Sequence, residues 1–338
     1  MPDSKRDKDE AKPIVVETEA LKAMTFYAHN YETLYFRALR PDGKREVLGS
    51  KPPRCRFCGR GKPEARFSKD AHVVPAFVGN KVLFSRYECD DCNDRFSAFE
   101  DDLAKMTLGD RAVGQVPKRN GFTALKPDGK KSSFRRGPAG VVINQYVDEG
   151  VFEIDETASR LVVNHETQPF RPLGAYKALA KMACALLPEA ELPQFEELRQ
   201  WLLQADVETR KVYGAGGHWS WSTFVPGPAP FAHPIVALLR RKQAVDAPYL
   251  TFFLAFGNWS YQIFPPCPRK DIGLADRRID IVPYPHLYQM QPWLARGRIQ
   301  ARQLPMDDPT RRSEPQTLNL HFDAIRPGGG APASEPPA

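Results

Sequence analysis

The sequence predicts an α+β protein in two parts: a small module near the N-terminus that a bound metal ion stabilises, and a larger C-terminal α+β domain. Three observations support this prediction. Four of the six cysteines lie in two CxxC pairs between residues 55 and 92. Residues 172–204 show the apolar spacing of helices. Residues 233–266 contain long apolar runs that are typical of buried strands.

Composition narrows the class of protein. The chain has 338 residues, a formal net charge of +7 and 42% hydrophobic residues, enough for a substantial core and a modest preference for an anionic partner such as nucleic acid. It contains no apolar run of about 18 residues, so no membrane span is expected. The charged start MPDSKRDKDEAKP does not resemble a secretory signal, and paired cysteines suit a reducing compartment. We therefore expect a cytoplasmic protein.

The elements are predicted in order along the chain. Residues 32–49 alternate on both sides of Pro41-Asp42-Gly43, which predicts a hairpin. Residues 141–164 alternate like two or three strands, and residues 172–204 predict two helices broken near Pro188. Gly257-Asn258 predicts a turn between buried strands. The resulting division is a disordered start (1–12), a helix/hairpin segment (13–49), the cysteine module (50–110), a basic linker (111–140), the α+β domain of unknown role (141–325) and a disordered tail (326–338).

The two CxxC pairs predict a structural zinc site. Cys55 and Cys58 form one pair, and Cys89 and Cys92 form the other. Two such pairs can hold zinc in a tetrahedral four-thiolate site, and a closed site of this kind has no open position for catalysis. The alternative is a set of reduced, unpaired thiols. A helix is expected from about Asp91, because apolar residues follow it at helical spacing.

Three polar residues between and beside the cysteines are candidates for catalytic roles. His72 lies in the strand-like run DAHVVP, Asn80 begins the next run NKVLFSRYEC, and Asn93 directly follows the last cysteine. This order resembles the zinc-containing branch of the HNH (ββα-metal) endonucleases, and the resemblance covers roughly residues 50–110. It implies a ββα, treble-clef-like module. The later run YKALAKMACALLPEAEL is similar to bacterial proteins that carry such a module at their N-terminus.

The resemblance implies a role for each of these residues. His72 would be the general base that deprotonates a water molecule for attack on a phosphodiester, which suits a neutral imidazole. Asn93 would bind a catalytic divalent ion, magnesium or manganese, that stabilises the leaving oxygen. Asn80 would brace the loop and orient His72 by hydrogen bonding.

One position departs from the family pattern, because Ala71 stands where many members have a metal-binding residue just before the base. Asp70 and His72 share a face of a strand, so Asp70 is our expected second ligand. Glu100 shares a helix face with Asn93, so Glu100, or its neighbour Asp101, is a further candidate.

The segment after the module is rich in lysine and arginine. Its basic side chains are predicted to contact nucleic-acid phosphates, although a solvated loop fits the same composition. The predicted contacts are Lys118, Arg119, Lys130, Lys131, Arg135 and Arg136. Further on, GAGGHWSW lacks the GK[ST] ending of a phosphate-binding loop and predicts a flexible connection with an exposed His218.

The sequence therefore predicts a metal-dependent endonuclease that acts on nucleic acid, with double-stranded DNA as the expected partner. The resemblance to bacterial nucleases with appended domains suggests a role in defence against foreign DNA. The alternative is a non-catalytic zinc module that binds nucleic acid or protein. A third hypothesis is a scaffold whose C-terminal domain carries the function.

Overall fold

A computed structural model describes residues 18–118, 121–127, 129–137, 140–204, 218–227, 230–242, 245–274, 281–285 and 298–325. Among these residues the helices are α1 (Thr18–Asn30), α2 (Asp90–Met106), α3 (Leu108–Val113), α4 (Pro172–Leu186) and α5 (Glu196–Leu203). The strands are β1 (Tyr31–Ala38), β2 (Glu46–Leu48), β3 (Ala71–His72), β4 (Leu83–Ser85), β5 (Ser133–Gly137), β6 (Gly140–Asn144), β7 (Phe152–Asp155), β8 (Arg160–Glu166), β9 (Trp219–Phe224), β10 (Phe231–Arg241), β11 (Leu250–Gly257), β12 (Trp259–Ile263), β13 (Gln300–Pro305) and β14 (Pro315–His321). The protein is thus a mixed α and β structure.

The largest sheet has six strands in the order β1-β10-β11-β12-β9-β13, and its described pairings are antiparallel. Its central strands β11 and β12 are buried at every position. LTFFLAFG is mainly apolar on both faces, whereas WSYQI has apolar and aromatic residues on one face and the buried polar Ser260 and Gln262 on the other. Gly257 joins them at a φ of +58°, a conformation that glycine adopts without steric cost. The predicted turn at Gly257-Asn258 is confirmed.

The predicted hairpin over residues 32–49 is wrong. A turn does form there, since the Gly43 N–H donates to the Arg40 carbonyl at 2.9 Å. However, β1 pairs with β10, and β2 pairs in parallel with β4. The long apolar strand β10 offers β1 a more extensive partner than the three-residue β2. A local turn signal cannot reveal such a distant partner.

Helix α4 connects the cysteine module to the large sheet. It contacts α2, β11, β12 and α5, and every residue from Pro172 to Leu186 is buried. The sequence predicts one packing face for this helix, and the structure shows neighbours all around it. Pro188 precedes a 3₁₀ segment, Glu189–Phe195, that separates α4 from α5, as the predicted break near this proline requires.

A second, smaller hydrophobic core lies beside the main core, which residues of α2, α4 and strands β10 to β12 form. Its members come from α3, strands β5 to β8 and the segment between, and include Leu125 and Phe134. Residues 111–140, predicted as a linker, therefore contribute buried side chains and the hairpin strand β5. Three strands, in the order β14-β8-β7, cover this core.

Several expectations concern residues at the margins of the description. The predicted disordered ends (1–12 and 326–338), residues 214–217 and Arg119 lie outside the described residues. His218 was expected to be exposed, but it is only 2% exposed, with its ring 4.6 Å from that of Tyr176. The residues after it form strand β9. Within the described part of the chain, we find no helix with the length and apolarity needed to span a membrane.

Candidate active site

The first cysteine pair lies on a tight turn. The Cys55 N–H donates to the Arg60 carbonyl at 2.9 Å, and the Gly59 N–H returns to the Cys55 carbonyl at 2.8 Å. Gly59 has a φ of +75°, so the turn needs a residue without a side chain at this point. The turn aims both sulfurs toward the second pair.

The second pair begins helix α2. Cys89 is the residue that caps the helix, and Cys92 lies in its first turn. The four sulfurs lie within 4.8 Å of one another, and the Cys58 and Cys89 sulfurs are 3.7 Å apart. A tetrahedral zinc ion with sulfurs at about 2.3 Å requires a sulfur-to-sulfur distance of about 3.8 Å, so the donor set fits. In the described ranges, these four residues are the only group of three or more histidine, cysteine or acidic side chains whose ligand atoms lie close enough together to hold one metal ion.

Arg60 supports the cysteine cluster from outside. Its Nε donates to the Cys58 sulfur at 3.4 Å, and its Nη2 bonds the Asp91 carboxylate at 2.8 Å. A cation beside a thiolate stabilises the deprotonated form that a metal needs, and Asp91 fixes the guanidinium in place.

His72 lies at the end of β3, opposite Phe84 of β4. Its ring is half-buried and lies 4.6 Å from the Phe84 ring, measured between centroids. Burial is the main reason that the pKa of His72 falls below its ordinary value; Glu100 opposes the shift, whereas Lys181 and Arg45 add to it. The imidazole is therefore neutral at neutral pH and able to accept a proton.

Asn80 holds the loop between β3 and β4. Its amide nitrogen donates to the carbonyls of Val74 and Leu83 at 2.6 and 2.8 Å, and its oxygen accepts from the N–H groups of Val82 and Leu83. The same nitrogen is 3.4 Å from His72 Nδ1. Since an amide nitrogen has only two hydrogens, both already donated, we regard this as a close contact that leaves the Nδ1 lone pair available.

A buried lysine lies behind His72. Lys181 of α4 donates from Nζ to the His72 carbonyl at 3.2 Å and to Glu100 at 3.0 Å, and it pairs with Glu88 at 3.0 Å. Burial lowers the pKa of Lys181, but Glu100 and Glu88 outweigh it and hold the ammonium charged. Burial raises the pKa of Glu88 to about 7. Lys181 thus joins the β3 strand, helix α2 and the residue before Cys89.

No motif in the sequence indicates a role for Lys181 or for Arg56. Arg56 follows Cys55, and its Nη1 donates to the carbonyls of Cys184, Ala185 and Leu187 at the end of α4. Its guanidinium lies 3.7 Å from the centre of the Tyr87 ring. The sequence carries no signal for the burial of Lys181, because Lys177 and Lys181 lie four residues apart and would form the solvent-facing side of a helix with one packing face.

The acids expected as metal ligands are all paired with cations. Asp70 bonds Arg45 at 2.7 Å and Arg86 at 3.1 Å, one through each carboxylate oxygen. Glu100 bonds Lys181, and Asp101 pairs with Lys105. Asn93 is half-buried in the first turns of α2, where its N–H donates to Cys89. Its side chain and that of Glu100 are on one helix face, about 10 Å apart along the axis.

The basic segment contributes to the surface of the second core. Lys118, Lys130, Lys131 and Arg135 are exposed, and Arg136 lies in β5. The backbone N–H of Lys131 bonds Glu149 at 2.8 Å, so this part of the segment is held in place. These exposed cations are compatible with phosphate contacts and equally with solvation.

Comparison with known families addresses the identity of this site. Residues 55–108 match the family model described as HNH endonuclease. We call residues 55–108 the HNH segment, after the family model that they match. The match begins at the first cysteine and contains His72, Asn80 and Asn93, so the family resemblance expected from the sequence is confirmed. No curated protein and no solved structure matches the chain significantly.

Proposed function

We propose that the chain is a metal-dependent endonuclease that hydrolyses phosphodiester bonds of double-stranded DNA, with the HNH segment as its catalytic part. The observation that carries the proposal is the half-buried His72, whose lowered pKa keeps it neutral next to a loop braced by Asn80. A neutral imidazole on a fixed loop has the properties of a general base. The net charge of +7 favours an anionic substrate.

In the proposed reaction, His72 removes a proton from a water molecule. The water oxygen attacks the phosphorus, the bond to the leaving 3′ oxygen breaks, and that oxygen takes a proton from solvent. The products are a 5′-phosphate and a 3′-hydroxyl. Asn80 keeps the His72 loop in place, and Lys181 holds the strand through the His72 carbonyl. Both therefore reduce the reorganisation that the reaction requires.

A divalent ion, magnesium or manganese, would stabilise charge on the scissile phosphate when bound. Amide and carboxylate oxygens suit such an ion, and magnesium keeps several waters, so few protein ligands suffice. We assign Asn93 to this role. Glu100 fits it less well, because it lies about 10 Å from Asn93 along α2 and its carboxylate bonds Lys181. Asp70 fits it less well, because both of its oxygens already bond arginines. Zinc in the four-cysteine cluster is proposed as structural.

A second function has specific support. The pairing of Asp70, Glu100 and Asp101 with cations favours a zinc module that binds nucleic acid without cutting it. Incubation of the purified protein with supercoiled plasmid, with and without Mg²⁺ or Mn²⁺, separates the two functions. We expect metal-dependent nicking that His72→Ala and Asn93→Ala abolish, whereas the exposed control His321→Ala leaves it unchanged.

Two outcomes of this assay contradict the endonuclease. The first is DNA binding without nicking in any divalent ion. The second is nicking that survives His72→Ala, which would indicate a contaminating nuclease or another site. A role in bacterial defence stays a prediction, as does location in the cytoplasm; protection of cells against phage that His72→Ala removes would support the former.

A further inference from the structure

Two arginines and one aspartate form a cluster beside His72 that the proposed reaction does not use. Asp70 is followed by β3, Arg45 precedes β2, and Arg86 follows β4, so the three-stranded sheet β2-β4-β3 brings them together. The Asp70 carboxylate bonds Arg45 Nη2 at 2.7 Å and Arg86 Nε at 3.1 Å. The sequence does not suggest this cluster, because its members are up to 41 residues apart (86 − 45).

The cluster is exposed on its arginine side. The side chain of Asp70 is 23% exposed, whereas Arg45 and Arg86 are 59% and 44% exposed. A guanidinium has five N–H donors, and each arginine uses only part of its fork on Asp70. Two positive groups against one negative group leave a net positive charge. The aspartate therefore orients the arginines without neutralising them.

The cluster is also next to the proposed base. The Arg45 guanidinium lies 4.4 Å from the centre of the Phe84 ring, and the His72 ring lies 4.6 Å from the same ring. Phe84 is the cross-strand partner of His72. Arg45 and His72 consequently share one aromatic neighbour on the same small sheet.

We propose that Arg45 and Arg86 form a binding site for a backbone phosphate of the nucleic acid, with Asp70 as the residue that positions them. This inference rests on the proposed function, since it assumes that the HNH segment acts on nucleic acid. A planar guanidinium donates two parallel hydrogen bonds to a phosphate, and a fork that is already oriented loses less entropy on binding. The site holds the backbone beside His72 and assigns Asp70 a role other than metal ligation.

The test compares DNA binding and nicking by full-length variants. Binding of a fluorescent duplex is measured by anisotropy over a salt series without added divalent ion, and nicking is measured with Mg²⁺. Arg45→Gln and Arg86→Gln each remove one charge. Arg160→Gln is the matched control, because Arg160 is a 49% exposed arginine paired with an exposed aspartate, Asp155, on the second core. Melting temperatures verify that each variant is folded.

We expect Arg45→Gln and Arg86→Gln each to weaken binding about tenfold, as expected for a lost hydrogen bond between charged groups. Each also lowers the slope of log affinity against log salt by about one, whereas Arg160→Gln changes neither. Arg45→Lys retains the salt slope but nicks more slowly, because a lysine lacks the fork. Asp70→Asn binds DNA at least as tightly as the wild type yet nicks more slowly, since the arginines lose their anchor.

Each outcome bears on one proposal separately. If the wild type nicks DNA and both glutamine variants bind and nick DNA as the wild type does, the phosphate site is overturned and the endonuclease proposal stands. Binding without nicking, weakened by Arg45→Gln and Arg86→Gln, supports the phosphate site and overturns the endonuclease. Faster nicking by Asp70→Asn shows that Asp70 only repels DNA, which overturns its positioning role. A protein that neither binds nor nicks DNA overturns both.

Discussion

Gly174 allows helices α2 and α4 to pack closely. The substitution Gly174→Ala adds one methyl group at this contact and therefore tests how α2, in the HNH segment, is held against α4. A Cβ at Gly174 would overlap Oδ2 of Asp102 and lie 2.9 Å from its Cγ. Asp102 is fully buried and accepts from the Arg171 N–H at 3.1 Å, from its Nε at 2.8 Å and from its Nη2 at 2.8 Å. These bonds join α2 to the start of α4. Gly174→Ala should therefore push the carboxylate out of its position.

The geometry allows a magnitude to be worked out. Carbon atoms in contact are about 3.5 Å apart, so the carboxylate must shift by roughly 1 Å, which breaks or distorts its bonds to Arg171. Disrupting a buried ion pair costs about 3 kcal/mol. Alanine is preferred over glycine in a helix by about 1 kcal/mol, which offsets part of this cost. The expected net loss is about 2 kcal/mol, which lowers the melting temperature of a chain of this length by roughly 3 °C.

Thermal and urea unfolding of full-length variants measure this loss. Gly273→Ala is the matched control, because a Cβ there meets nothing within 4 Å and its melting temperature should stay close to that of the wild type. In an Asp102→Ala background the overlap with the carboxylate is gone and only a contact of 3.2 Å with the Cβ at position 102 is left, so Gly174→Ala should then cost much less. A Gly174→Ala protein as stable as the wild type, or one equally destabilised in the Asp102→Ala background, would refute the reasoning.

Three further predictions concern the site itself. Lys181→Met leaves the buried Glu88 without its cation, so we expect the unfolding free energy to fall by about 3 kcal/mol and nicking to be lost. Adding Glu88→Gln should restore most of the stability, as measured by urea titration. A Lys181→Met variant as stable as the wild type would contradict the network. Elemental analysis should find one zinc ion per chain in the cysteine cluster. Cys92→Ser or a strong chelator should make residues 50–110 sensitive to proteolysis. A metal-free protein that resists proteolysis as well as the untreated protein would argue against a structural ion. Because burial lowers the pKa of His72, the base stays neutral to a more acidic pH than a free imidazole. The nicking rate should therefore fall on acidification with a midpoint below the ordinary imidazole value of about 6.5, and a midpoint above that value would contradict the lowered pKa.

Much of the HNH segment was predictable from short-range patterns. The two CxxC pairs, the helix that follows them and the strand with His72 are encoded by residues close together in the chain, and the family match covers the same residues, 55–108. Asn80 was predicted to brace the loop, and it bonds backbone groups within six residues of itself. Such contacts depend on spacing that can be counted in the sequence.

Other features were beyond local patterns. The partner of β1 is β10, about 200 residues later, and no turn signal indicates which distant strand is the best match. The metal-ligand assignments for Asp70 and Glu100 rested on shared faces of a strand and a helix. The structure adds the cations that face those acids, Arg45, Arg86 and Lys181, and these come from other elements.

The sequence by itself determined the residues on which the proposed chemistry depends: four thiols spaced for one metal ion, and an imidazole followed by two carboxamides. Only the tertiary structure decided the electrostatic surroundings of that imidazole. Charge acts through space, so the pKa of His72 depends on Glu100, Lys181 and Arg45, which lie 28, 109 and 27 residues away in the chain (100 − 72, 181 − 72 and 72 − 45). The folding of α4 against α2 brings Lys181 to the His72 strand, and no count along the sequence predicts that approach.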